Sequence, residues 1–213
     1  MRIAILGSGL MGGKLGTIFA RAGHDVVFSY ARSDRKLKRL AKGAGANASA
    51  GTPAEAAAGA DALLLAVHWS RINDVLKQAG NISGKVLISC SMPMNAADTA
   101  LAIAHKSSGA EALAKKARRT KVVSAFGTVP SEVLFDVFES KRRTKPSLLY
   151  CGDDKDAKGV AAQLITDVGF EPVDAGRLRT ARYLEPFTLA IAQLAYESGG
   201  GPEIAYRIER FRK

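Results

Sequence analysis

A glycine-rich turn near the start of the chain restricts its fold more than any other stretch. The apolar run Met1-Arg2-Ile3-Ala4-Ile5-Leu6 leads straight into Gly7-Ser8-Gly9-Leu10-Met11-Gly12. A helix-like segment, Gly13 to Ala22, ends at Gly23, and a second strand, Asp25 to Ser29, follows it. The spacing G-x-G-x-x-G is weak evidence alone, because glycine-rich turns occur in many folds. Set between a strand and a helix, it describes the opening of a dinucleotide-binding βαβ unit. Gly7 permits the tight turn, Gly9 lets backbone approach a pyrophosphate, and Gly12 lets the helix pack closely on the strand. The anion then lies at the helix N-terminus, where free N–H groups and the positive end of the dipole stabilise it.

The alternation continues along the chain. Ser33 to Lys42 reads as a basic helix and Ala46 to Ser49 as a short strand. Thr52-Pro53-Ala54-Glu55 carries the residues of a capping box with proline at the first helical position. Asp61 to Val67 is a continuous apolar run suited to a central buried strand, and Ser70 starts a helix that runs through Lys77. Val86 to Ser89 is a further strand. The alanine-rich stretch Ala96 to Ala117 is expected to be mostly helical, interrupted at Ser107-Ser108-Gly109. Lys121 to Phe126 and Ser147 to Cys151 read as strands, with a short helix, Ser131 to Phe138, between them. Asp153-Asp154 opens a helix to Val168, Glu171 to Asp174 is extended, and Thr180 to Ser198 is a long apolar helix interrupted at Pro186. Strands alternating with helices imply an α/β fold of Rossmann type, doubly wound, with a mainly parallel sheet covered on both faces. The expected division is a dinucleotide-binding domain over residues 1–175 and a small C-terminal helical segment, 176–213, that is not an independent domain.

Bulk properties narrow the classes. The chain has 213 residues, 47% hydrophobic and 24% charged, as in ordinary globular proteins. It contains no apolar run of about eighteen residues, and its start lacks the pattern of a secretory leader; a cytoplasmic protein with no membrane partner is expected. Cys90 and Cys151 stand far apart without a C-x-x-C, which indicates neither a disulfide framework nor a metal site. The net charge of +11 is concentrated at Arg32 to Lys42, Lys115 to Lys121 and Lys141 to Lys145. No nucleic-acid-reading motif accompanies these clusters, so they read as solvated faces rather than a nucleic-acid surface.

The end of the second strand selects the cofactor. Sites for the unphosphorylated dinucleotide place a carboxylate there to bind the ribose hydroxyls. This chain reads Ser29-Tyr30-Ala31-Arg32-Ser33-Asp34-Arg35-Lys36, and its first carboxylate comes late. Arg32 offers a planar fork to a ribose phosphate, Ser33 a hydroxyl, and Lys36 further charge, with Tyr30 and Ala31 beside them. NADP(H) is the expected cofactor.

Ligands of open parallel sheets lie beyond the carboxyl ends of the strands. His68 and Trp69, after the fourth strand, could wall a nicotinamide, contact its ribose or take part in proton transfer; both are catalytic candidates. Met92 and Met94 read as adaptable packing. No Ser-His-Asp set, no H-E-x-x-H and no clear Tyr-x-x-x-Lys is visible. Hydride transfer between two planar cofactors needs little beyond stacking, orientation and exclusion of water, which suits this absence.

Several stretches resemble the NADPH-dependent deazaflavin-coenzyme (F-420) oxidoreductases and the similar reductase domain of the six-transmembrane metalloreductases. They are Gly7 to Gly12, Ala66-Val67-His68-Trp69, Val122 to Pro130, Cys151-Gly152-Asp153-Asp154 with Val173 to Leu178, and Tyr183 to Phe187. The resemblance implies a doubly wound unit whose C-terminal portion closes over the ligand edge. It also implies a homodimer and hydride transfer between NADP(H) and a deazaflavin, flavin or similar small-molecule acceptor. Carried over by position, Ser8, Gly9, Leu10 and Met11 would hold the pyrophosphate and Arg32 and Ser33 the ribose phosphate. Val67, His68, Trp69, Ala125 and Phe126 would line the nicotinamide pocket. His68 stands where those enzymes tend to have proline, and Gly127 where many have asparagine, which leaves the acceptor open. The alternatives are a non-catalytic NADP(H)-binding sensor or interaction module, and an imine or hydroxyacid reductase.

Overall fold

The computed structural model describes residues 1–211; positions 212 and 213, the end of the expected C-terminal segment 176–213, lie outside the described residues. The opening unit forms as its sequence dictates. Strand β1, Arg2–Leu6, enters helix α1, Leu10–Arg21, and returns through β2, Asp25–Ser29. Then come α2 (Asp34–Ala44), β3 (Ala48–Ala50), α3 (Pro53–Ala58) and β4 (Ala62–Leu65). A 3-10 turn, Trp69–Arg71, leads to α4, Ile72–Ala79, and β5 is Val86–Ser89. The second half supplies α5 (Gly109–Lys116), β6 (Lys121–Ser124), α6 (Leu134–Glu139), β7 (Ser147–Gly152), α7 (Lys155–Val168), β8 (Glu171–Asp174) and α8 (Ala181–Tyr196).

The strands make one eight-stranded sheet in the order β3-β2-β1-β4-β5-β6-β7-β8. Every pairing is parallel except β6 with β7. The chain winds outward from β1 in one direction to β3 and then from β4 in the other. The edge between β1 and β4 is therefore the switch point where such sheets bind ligands.

Strand side chains alternate between two cores, as the two-residue period requires. Ile3, Ile5, Leu64, Ile88 and Val123 face α1, α2, α6 and α7. Ala4, Leu6, Leu63, Leu65, Leu87 and Val122 face α3, α4, α5 and the start of α8. The basic helix α2 buries Leu37, Ala41 and Ala44 while Arg35, Lys38, Arg39 and Lys42 stay exposed. These four lie on the solvated face of the helix. The capping box of α3 is formed as expected, with Thr52 and Glu55 bonding each other's backbone. Cys90 and Cys151 are free thiols.

Two expectations are corrected. Of the alanine-rich stretch 96–117, only Gly109–Lys116 is helical. Asn95 and Thr99 bond each other through side chain and backbone at 3.0 Å, and such local polar bonds compete with helix formation. Pro186 does not interrupt the last helix, which runs through it from Ala181 to Tyr196. The backbone bond that proline forfeits is offset by burial of the apolar Ala181, Leu184, Ile191 and Ala195 along the helix. Beyond α8 the chain returns beside β7, where Ser147 N–H donates to the Tyr206 carbonyl at 2.8 Å. No helix among the described residues is long and apolar enough to cross a membrane.

Candidate functional site

A groove of about 990 Å³ opens at the carboxyl ends of β1, β2 and β4. Gly7 turns the chain out of β1 with a φ of +114°, and a Cβ there would strike the Ala66 carbonyl and the Val67 side chain. At Gly12 a Cβ would run into the Gly7 carbonyl and stand 3.0 Å from the Ala66 Cβ, so both positions are held to glycine by close packing. Gly9 differs. A Cβ built there meets nothing within 4 Å, because the position looks into the groove.

Gly9 is also the N-cap of α1, without a side-chain cap and without an acidic residue in the first turn. The N–H groups of Leu10, Met11 and Gly12 precede the first helical bond, from Gly13 N–H to the Gly9 carbonyl at 2.9 Å. The helix end is left electropositive and unshielded. Ser8 plays a different part from its neighbours. It is buried, its hydroxyl donates to the Ser29 carbonyl at 2.9 Å, and its N–H donates to the Tyr30 carbonyl at 3.1 Å. It locks the ends of β1 and β2 together, and its side chain is turned away from an incoming anion.

On the β2 side the groove is lined by Tyr30, Ala31, Arg32 and Lys36. Arg32 is exposed, whereas the Ser33 hydroxyl caps α2 by accepting from Lys36 N–H at 3.4 Å. The β2 end carries no carboxylate; Asp34, in the first turn of α2, is the first to reach the groove. The opposite wall comes from Arg71, Asp74 and Gln78, which sequence reasoning missed. Their spacing of three and four residues puts them on one helical face, and a polar stripe following the strand next to β1 was the available signal. Burial and the bond to Asp74 hold the Tyr30 phenol up at about 12. Hydrogen bonds from Tyr30 and Gln78 hold the Asp74 carboxyl below the usual range.

Val67 and His68 line the other end of the groove. Both imidazole nitrogens are engaged: Nε2 with Asp98 at 2.8 Å and Nδ1 with the Ser70 hydroxyl at 2.7 Å. Trp69 does not line the groove; it packs half-buried against the core that α3, α4 and α5 cover. Ala125 and Phe126 are buried, and the Phe126 ring packs edge-on against Phe19 at 6.1 Å. Ala125 instead borders a smaller hollow beneath α8, together with Cys90, Met92, Gly127, Glu185 and Thr188.

The groove thus gathers Gly7, Ser8, Gly9, Leu10, Tyr30, Ala31, Arg32, Lys36, Val67 and His68. Met11, Gly12, Ser33, Trp69, Ala125 and Phe126 do not line it.

Glu185, 4% exposed, accepts from the N–H groups of Gly109 and Ala110 at 2.8 and 3.0 Å. One turn earlier, Arg182 makes a two-pronged ion pair with Glu111 at 2.6 and 2.8 Å. These contacts fasten α8 to α5, over the carboxyl ends of β5 and β6. Burial outweighs the two N–H donors and pushes the Glu185 carboxyl up to about 7.

Comparison with known proteins agrees with this geometry. Residues 2–93 match the model of the family described as NADP oxidoreductase, coenzyme F420-dependent. The metalloreductase STEAP3 of Rattus norvegicus is 28% identical over 190 residues, covering 89% of this chain. The chain spans 37% of the length of that curated relative. Among solved structures, a candidate F420-dependent NADP-reductase from Arthrobacter superposes with a TM-score of 0.86 at 22% identity, covering 99% of this chain and all of that one. A hypothetical protein from Sinorhizobium meliloti gives 0.76 at 25% identity, covering 99% of this chain and 96% of that one. A reductive aminase from Aspergillus terreus, in complex with NADPH and ethyl levulinate, gives 0.65 at 17%, covering 89% of this chain and 60% of that one. The resemblance drawn from the sequence, and the doubly wound fold expected with it, are borne out.

Proposed function

We propose that this chain is an NADP(H)-dependent oxidoreductase that passes hydride between NADP(H) and a planar redox acceptor of the deazaflavin or flavin class. The observation that carries the proposal is the uncapped, carboxylate-free N-terminus of α1, opened by Gly9 beside Arg32. It fits a pyrophosphate and a ribose phosphate in charge and in space. The first-turn N–H groups of α1 take the pyrophosphate, and Arg32 and Lys36 the ribose phosphate. Tyr30, Ala31 and Arg71 wall the adenosine, and Val67 and His68 stand at the ring end. The bound cofactor supplies the hydride; the chain orients its ring and, with α8 and the loop after β5, keeps water from the transfer. Residues 1–175 carry the nucleotide and residues 176–211 form the roof.

The test is stopped-flow oxidation of NADPH with deazaflavin, FMN and ferric-chelate acceptors. Turnover with deazaflavin or FMN alone is expected, and turnover with neither would count against the reading. We further infer a homodimer. Tyr183, Phe187, Ala190 and Leu194 follow one stripe of α8, and Tyr183 and Leu194 are 72% and 54% exposed. Sedimentation should give twice the chain mass.

A further inference from the structure

The segment between β5 and α5, expected to be helical, carries a small hairpin. Met94 and Leu101 pair in antiparallel fashion, Asn95 N–H donates to the Ala100 carbonyl at 2.8 Å, and Ala102 N–H donates to the Pro93 carbonyl at 2.7 Å. Asp98 sits at the tip with a φ of +55°, a conformation that costs a non-glycine residue energy and invites a functional reading. Its carboxylate is aimed at one group: Oδ1 lies 2.8 Å from Nε2 of His68. The imidazole is fixed from its far side, since Nδ1 accepts from Ser70 N–H at 3.3 Å and meets the Ser70 hydroxyl at 2.7 Å. The proton of the ring therefore belongs on Nε2, facing the aspartate.

His68 lines the groove, and β4 and β5 are neighbours in the sheet. The contact therefore joins the loops beyond two adjacent strands at the end of the groove away from Arg32. We propose that Asp98 is a positioning residue for the electron acceptor. Gripping His68, it holds the hairpin as a side wall, with the half-buried Met92, Met94 and Leu101, against which a flat apolar ring system lies. His68 serves as the post for that wall, with both ring nitrogens already committed. This rests on the NADP(H) reading of the groove and deepens it.

The experiment compares the unmodified chain with Asp98→Ala, Asp98→Asn and Asp98→Ala/His68→Ala. It measures FMN binding to the NADP⁺-loaded protein by flavin fluorescence, and hydrogen exchange of the amides of residues 95–102. The pair is partly exposed, so loss of Asp98 should weaken FMN about three- to five-fold and quicken exchange by a similar factor. NADP⁺ affinity of the two Asp98 single variants should hold within about two-fold. Asp98→Asn, which still accepts from Nε2–H, should recover most of the loss, and the double variant should be no worse than Asp98→Ala. Unchanged exchange or unchanged FMN affinity in Asp98→Ala, or no FMN binding by the unmodified loaded protein, would overturn the positioning role. Failure of the unmodified chain to bind NADP⁺ would instead remove the reading of the groove itself.

Discussion

The hydroxyl of Tyr30, beyond the end of β2, donates to the Asp74 carboxylate on α4 at 2.5 Å and ties the two walls of the groove together. The bond passes over the place where β1 emerges between β2 and β4. Tyr30 reaches it in a left-handed conformation, φ +57°, which costs on the order of 1–2 kcal/mol. With its pKa at about 12, the phenol remains a donor throughout the neutral range.

Tyr30→Phe removes that tie without touching the phosphate contacts. Affinity should fall about three- to ten-fold, and equally for NADPH and NADH, in line with the loss of one hydrogen bond. Fluorescence titration with both nucleotides checks this; a loss confined to NADPH would place Tyr30 at the ribose phosphate instead.

Arg32→Ala should behave in the opposite way. Removing a charge-assisted contact should weaken NADPH by about 1.5–3 kcal/mol and NADH by less than about 0.5 kcal/mol. Equal losses in calorimetric titrations would remove Arg32 from cofactor selection.

Two glycines of the same motif should separate folding from binding. At Gly12 a Cβ overlaps the Gly7 carbonyl, so Gly12→Ala should cost about 2 kcal/mol or more by denaturant unfolding. At Gly9 the space is open, so Gly9→Ala should cost less than about 1 kcal/mol of stability. Its methyl group would stand in the path of the pyrophosphate, and NADPH affinity should drop at least about ten-fold. Normal binding by Gly9→Ala would show that the nucleotide takes another route.

Glu185 should make stability depend on pH. An acid held up at about 7 against an ordinary 4.5 binds its proton more tightly folded than unfolded. Its contribution is fully present below the unfolded value and is lost as pH rises through the folded one. Between pH 5 and pH 8 the unmodified chain should lose roughly 2–3 kcal/mol relative to Glu185→Gln, whose side chain does not titrate. Urea unfolding of both proteins across that range measures it, and parallel curves would show the carboxyl titrates at its ordinary value.

The βαβ opening and the strands around it were legible because their signals are local: an apolar run, three glycines at fixed spacing, a strand end without a carboxylate. Arg71, Asp74 and Gln78 were not, because they meet the groove only once the segment after β4 is folded against it. Alanine content suggested a helix over 96–117, but Asn95 and Asp98 carry side chains that bond locally and across to His68, and no sequence period announces that. The family resemblance implies Phe126 as a pocket residue. Its backbone turns at a φ of +64° and the ring drops into the core.

Every residue that lines the nucleotide groove falls between Gly7 and Gln78, within one uninterrupted third of the chain. The hairpin of Asp98 and the roof bearing Glu185 are encoded downstream of it. On the proposed function, substitutions that retune the acceptor can therefore accumulate in the later part while the grip on the nucleotide is inherited intact. On that reading, nucleotide preference and acceptor preference meet at His68 alone and are otherwise separable traits, open to independent selection or to grafting by an engineer.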